Sequence, residues 1–171
     1  MDIPYKKIIF DVDGVLIEAD RRVRVEKYKE LFRLGMKMVK SKEYAGTNWL
    51  FPRLKQRYDD GVSINKRYYG LINKKTSDIL WELAQKYDLY TCSLADDKIT
   101  RDKLEATGIS KFFSGNFKKP LSRGNKKTAV VDDRYNAGFG NGYYVIKFNR
   151  GQHKDQNQKA DKVITNIKEL L

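Results

Sequence analysis

Lys7-Ile8-Ile9-Phe10-Asp11-Val12-Asp13-Gly14-Val15-Leu16 is the stretch on which the reading of this chain turns. Residues 8–10 are β-branched or aromatic and uniformly apolar, the pattern of a strand buried on both faces in a parallel sheet. The run ends in two carboxylates, Asp11 and Asp13, and Gly14 then permits a sharp exit. Open α/β sheets place their ligands at the carboxyl ends of their strands. Asp and Gly are also ordinary turn residues, so this stretch alone leaves a site and a polar turn about level.

The 171 residues suit one domain, or one domain with an insertion. An apolar fraction of 40% and a charged fraction of 33% describe a soluble globular chain with a heavily charged surface. No run is long enough to span a membrane, and residues 1–16 lack the basic-then-apolar layout of a signal peptide. The expected address is the cytoplasm, with no membrane partner. Cys92 is the single cysteine, which excludes an intrachain disulfide and a multi-cysteine zinc site. His153 is the single histidine, which excludes a His-based metal site. The 35 Lys+Arg outnumber the 22 Asp+Glu, for a net charge of +13. That balance favours an anionic partner, either a phosphorylated small molecule or nucleic acid, although abundant lysine also serves solubility.

Residues 17–78 differ from the rest, with 16 Lys+Arg against 8 Asp+Glu. Val25, Tyr28, Leu31, Phe32, Met36 and Val39 predict a helix over about 22–40. Thr47 and Ser63 are candidate caps for two more, the second carrying Ile64, Tyr68, Leu71 and Ile72. The segment reads as a helical cap, 17–78, inserted into a core of 1–16 and 79–171. Its aromatic residues are mostly cap core at helical spacing. Beyond it, Thr76 is expected to cap a helix bearing Ile79, Leu80 and Leu83, and 89–93 is expected to be a buried strand. A helix over 96–107 follows, with Gly108 at its C-cap. Phe112-Phe113 is expected in a short strand, 118–127 in a basic loop, and 128–131 in a strand ending in Asp132-Asp133. After a glycine turn come a strand over 143–148, an extended piece at 162–164 and a closing helix over 166–171. Alternating strands and helices predict an α/β fold, a Rossmann-like, doubly wound parallel sheet.

Parallel strands share a carboxyl side, so Asp11/Asp13, Ser93 and Asp132/Asp133 can converge on one edge. Converging carboxylates repel without a cation. With oxygen ligands alone, magnesium is the natural ion. An aspartate can attack phosphorus, a second carboxylate two residues on can move protons, and lysine and serine can hold phosphoryl oxygens.

Asp11-Val12-Asp13-Gly14-Val15-Leu16 resembles the first motif of the haloacid dehalogenase (HAD) superfamily in its phosphatase form. Ser93 matches the second motif, and the segment 104–109 resembles the helix that follows it. Asp132-Asp133 matches the acidic fourth motif, and 160–164 the tail. The resemblance implies Asp11 as nucleophile and Asp13 as general acid/base. It further implies Mg²⁺ bound by Asp11, the backbone carbonyl of Asp13 and Asp132, with Asp133 a ligand or a group behind one. Ser93 and Lys119 would bind the substrate phosphate. Lys119 is the first choice for the third-motif lysine, with Lys118 or a later lysine of the loop as alternatives. Only eight residues separate Pro120 from Ala129, which leaves no room for the full helix usual at that place in capped members. The short connection resembles uncapped carboxy-terminal-domain phosphatases, and Asp132-Asp133-Arg134 is similar to the ending found in polynucleotide 3′-phosphatases.

The expected activity is therefore Mg²⁺-dependent phosphomonoester hydrolysis through an aspartyl-phosphate, on a phosphorylated small molecule. A carboxylate at Asp13 favours phosphate chemistry over dehalogenation. A nucleic-acid end phosphatase and a catalytically weak binding protein of the same fold are the alternatives.

Overall fold

The structure is a computed structural model that describes residues 5–19, 69–134, 142–151 and 160–171. The helices expected within 20–68, their aromatic residues, Gly138, Gly140 and His153 lie outside the described residues.

Among the described residues, six strands form one parallel sheet: β1 (Lys7–Asp11), β4 (Asp88–Ser93), β5 (Asn116–Lys118), β6 (Thr128–Asp132), β7 (Tyr144–Phe148) and β8 (Lys162–Ile164). Their order across the sheet is β5-β4-β1-β6-β7-β8. The chain leaves β1 for β4 and β5 on one side, then crosses to β6, β7 and β8 on the other. The direction therefore reverses at β1, the position at which open sheets of this kind form their crevice. A separate antiparallel hairpin joins β2 (Ile17–Ala19) to β3 (Tyr69–Leu71), with Ile17 opposite Leu71. It closes the two ends of the segment 20–68 against each other. Among the described residues, no helix is long and apolar enough to cross a membrane.

The period of two along a strand sorts the core. Ile8 and Phe10 of β1 face one side with Ala129, Val131, Ile146, Phe148 and Ile164. That side is covered by α1 (Thr76–Ala84), through Ile79, Leu80 and Leu83, and by Leu104 of α2 (Asp97–Ala106). Ile9 faces the other side, with Val130, Cys92, Leu121 and Tyr143. Burial on both faces explains why the inner strands carry unbroken apolar runs rather than alternation.

Local signals account for most boundaries. Asp96 caps α2 by accepting the Lys98 N–H at 2.9 Å, and Gly108 takes φ +73° just past its end. Gly14 has φ +96°, and a Cβ there would collide with the Asp133 carboxylate.

Four expectations differ from the structure. Tyr69–Leu71 is a strand, not the end of a helix, because it pairs with the buried Ile17 strand. Thr76 is buried inside the first turn of α1, while Asn73 Oδ1 accepts the Lys75 N–H at 2.9 Å ahead of it. Phe112 lies in a 3₁₀ turn (Ser110–Phe112), and the ring of Phe113 packs edge-on against Phe10 at 6.3 Å. The ladder begins only at Asn116, whose Oδ1 accepts the Thr91 hydroxyl at 2.9 Å. The closing element is a 3₁₀ turn (Ile167–Leu170) held by an Asn166/Glu169 capping box.

Burial predicts a steep contrast between two strand residues. Ile8→Ala at the sheet centre should cost about 2–5 kcal/mol in denaturant unfolding. Val163→Ala on the edge strand, where the residue is 40% exposed, should stay within about 0.5 kcal/mol.

Candidate active site

Asp11 and Asp132 are the last residues of β1 and β6, which are hydrogen-bonded neighbours. Their register pairs Phe10 with Val131, so the two aspartates stand one step further on, side by side. By the same alternation they point to the Ile9–Val130 face. Both are buried, Asp11 to 8% exposure and Asp132 to 1%.

Ser93 ends β4 on the other flank of β1 and is buried, its Oγ accepting the Ala95 N–H at 3.0 Å. Lys119 follows β5 immediately. Its backbone N–H donates to the Ser93 carbonyl at 2.9 Å, which ties it to the same sheet edge. From there its side chain reaches past β4 to the other two strands. Nζ lies 3.0 Å from Asp11 Oδ1 and 2.5 Å from Asp132 Oδ2. Lys118, the alternative lysine, is exposed on β5. Among the described residues, 120–127 contain no helix.

Asp133 completes the acidic group. Asp11, Asp132 and Asp133 each offer an oxygen, and the three lie within 4.8 Å of one another. The Asp132 carboxylate is further fixed by the Arg134 N–H, which donates to Oδ1 at 2.6 Å. The Asp13 carboxylate does not belong to this group. It is half-exposed on the loop after β1 and accepts from Lys103 Nζ at 2.9 Å on both oxygens. That loop is tight: the Gly14 N–H donates to the Ile17 carbonyl at 2.9 Å, and the Ile17 N–H to the Val12 carbonyl at 3.0 Å.

Burial and the neighbouring Asp132 charge push Asp11 from 3.8 up to about 7, against the pull of Lys119. Burial likewise raises Asp132, with Lys119 opposing. Burial on its own would lower the Lys119 ammonium, but Asp11 and Asp132 outweigh it and hold it above the ordinary lysine value. Burial also pushes the Cys92 thiol up, so it stays protonated behind the site. The three carboxylates outnumber the Lys119 ammonium, which two of them share, and the Lys147 ammonium beside Asp133, so the group is net negative when all are ionised. An all-oxygen donor set of that charge fits a hard divalent cation, and magnesium in particular.

Two lysines escaped the sequence reading, and both carried a signal. Lys103 lies on the buried face of α2 with Thr100 and Leu104, an odd place for a charge on an amphipathic helix. Lys147 interrupts the apolar run of β7, is fully buried, and donates to the Asp133 backbone carbonyl. A lysine inside a central parallel strand needs a polar partner, and the turn after β6 supplies one.

The sequence matches no protein-family model and no curated protein. Solved structures match over nearly the whole chain. One described as a predicted phosphoglycolate phosphatase from Haemophilus somnus is 16% identical, with a TM-score of 0.74, covering 99% of this chain and 98% of that one. A haloacid dehalogenase-like hydrolase from Bacteroides fragilis is 14% identical, with a TM-score of 0.73 and coverage of 98% and 100%. A HAD-type hydrolase from Bacillus subtilis, described as bound to magnesium, is 16% identical, with a TM-score of 0.63 and coverage of 97% and 96%. The six-stranded parallel sheet, its strand order and these matches establish that the chain has the fold of the haloacid dehalogenase-like hydrolases.

Proposed function

We propose that this protein is a Mg²⁺-dependent phosphomonoester hydrolase that works through an aspartyl-phosphate on Asp11. The observation that carries the reading is Lys119, whose ammonium bridges the carboxylates at the ends of β1 and β6. A buried cation beside two acids suits a site through which phosphoryl charge passes.

In this reading an Asp11 oxygen attacks phosphorus while the ester P–O bond breaks. Asp13 gives a proton to the leaving oxygen. Asp13 then takes a proton from water as that water attacks phosphorus, which releases phosphate and restores Asp11. Lys119 and Ser93 hold phosphoryl oxygens, and Asp11, Asp132 and Asp133 would hold the metal together with the backbone carbonyl of Asp13. Magnesium, when bound, offsets the charge on the acids and on the phosphoryl group. The segment 17–78 acts as a cap that sets the leaving group, and the enzyme works in the cytoplasm on a phosphorylated small molecule. The net charge of +13 also favours a nucleic-acid end as substrate. Turnover of a phosphorylated oligonucleotide that falls steeply with salt, while its mononucleotide is unaffected, would select that substrate class.

Asp11→Asn should lower turnover of an aryl phosphate on the order of 1,000-fold or more, with Mg²⁺ present. Turnover equal to wild type would refute the mechanism. Lys119→Met should lower it about 100-fold or more, since it removes a charge that faces the phosphoryl group.

The Asp11 shift also sets a pH dependence. Between 3.8 and about 7 the folded protein keeps a proton on Asp11 that the unfolded chain has released. Without metal, this group therefore makes the fold less stable as pH rises across that window, and the loss is complete above it. Magnesium must displace that proton to bind. The rise in Tm caused by millimolar Mg²⁺ should be larger at about pH 8 than at about pH 5.5, and nearly absent in Asp132→Asn. An equal rise at both pH values would contradict the metal assignment.

A further inference from the structure

Lys103 is 9% exposed, on the inner face of α2. Lysine is almost never so buried without a partner, and here the partner is Asp13. Nζ lies 2.9 Å from both oxygens of its carboxylate and 5.3 Å from the centroid of the Tyr69 ring. The two ends of the pair differ in surroundings. The Lys103 side chain is 11% exposed and set in a helix, whereas the Asp13 side chain is 50% exposed on a loop. The lysine is therefore the fixed partner, and the carboxylate is the group being placed. Tyr69 belongs to β3, where the chain returns from the segment 20–68. Lys103 thus joins three pieces: the loop after β1, the first helix after β4, and the hairpin at the foot of the inserted segment.

We propose that Lys103 is a positioning residue for Asp13. An aspartate half in water has rotamers to choose from, and proton transfer requires its oxygen within hydrogen-bond reach of the leaving group. The bidentate contact selects one orientation. The cation–π contact to Tyr69 keeps the ammonium from following solvent. The proton that moves is the one on Asp13: it goes to the leaving oxygen as the P–O bond breaks, and one returns from water as the new P–O bond forms. Lys103 keeps its own protons throughout. The inference rests on the phosphatase reading and adds to it a residue outside the acidic group.

The test compares wild type, Lys103→Met, Lys103→Arg, Asp13→Asn and the double variant Asp13→Asn/Lys103→Met on two esters. An alkyl phosphate has a poor leaving group that needs a proton, and p-nitrophenyl phosphate has a good one that does not. Lys103→Met should lower kcat/KM on the alkyl ester about tenfold or more and on the aryl ester less than about threefold. Lys103→Arg should recover most of the alkyl activity, and the double variant should be no slower than Asp13→Asn alone. Lys103→Gln, which keeps a hydrogen-bond donor, carries the same comparison if the Met variant does not fold. An equal fall on both esters, or a double variant slowed by the product of the two single effects, would overturn the role of Lys103. Wild type inactive on both esters would instead bring down the phosphatase reading, and this role with it.

Discussion

The Lys119 ammonium, buried between the carboxylates of Asp11 and Asp132, is the interaction on which the site depends. Two aspartates at the ends of adjacent parallel strands stand side by side because the register leaves them no alternative. Burial in that position disfavours both charges, and each raises the cost of the other. A lysine reaching in from the far side of β4 offsets part of that cost. Removing one member of such a cluster leaves a buried charge without its partner, a change more damaging than never having had the pair.

The fold supplies this arrangement through topology. The chain runs outward from β1 to β4 and β5, then returns to the other side at β6. Three strand ends and one loop residue, far apart in sequence, thereby meet at one edge. Gly14 lets the backbone turn away from β1 at φ +96° and leaves space for the Asp133 carboxylate. The buried Lys147 holds the backbone of Asp133 from the neighbouring strand. The acidic group is thus held by two lysine side chains, Lys119 and Lys147, and by the Arg134 N–H, while the Asp13 carboxylate pairs with a third lysine, Lys103.

Much of this was legible in the sequence because it follows from local pattern. Apolar runs such as 128–131 ending in acids identified the inner strands, and the parallel sheet followed from their alternation with helices. Asp11, Ser93 and Asp132 could be placed together from strand polarity alone. Lys119 was preferred to Lys118 in the sequence, and three dimensions add that Lys119 turns inward onto Asp11 and Asp132 while Lys118 stays exposed on β5. The Tyr69–Leu71 strand was hidden because its partner is more than fifty residues away, and three residues carry too little periodicity to distinguish strand from helix. Lys103 was passed over for a similar reason. Its position on the apolar face of α2 was visible, but the acid that it meets lies 90 residues earlier.

In the proposed mechanism Asp11 carries the phosphoryl group. Borohydride reduction of the protein during turnover converts an aspartyl-phosphate to homoserine, and peptide mass spectrometry locates it. Homoserine is expected at position 11 alone, dependent on both substrate and Mg²⁺. Sustained turnover with position 11 unmodified, or with the label at another carboxylate, would contradict it.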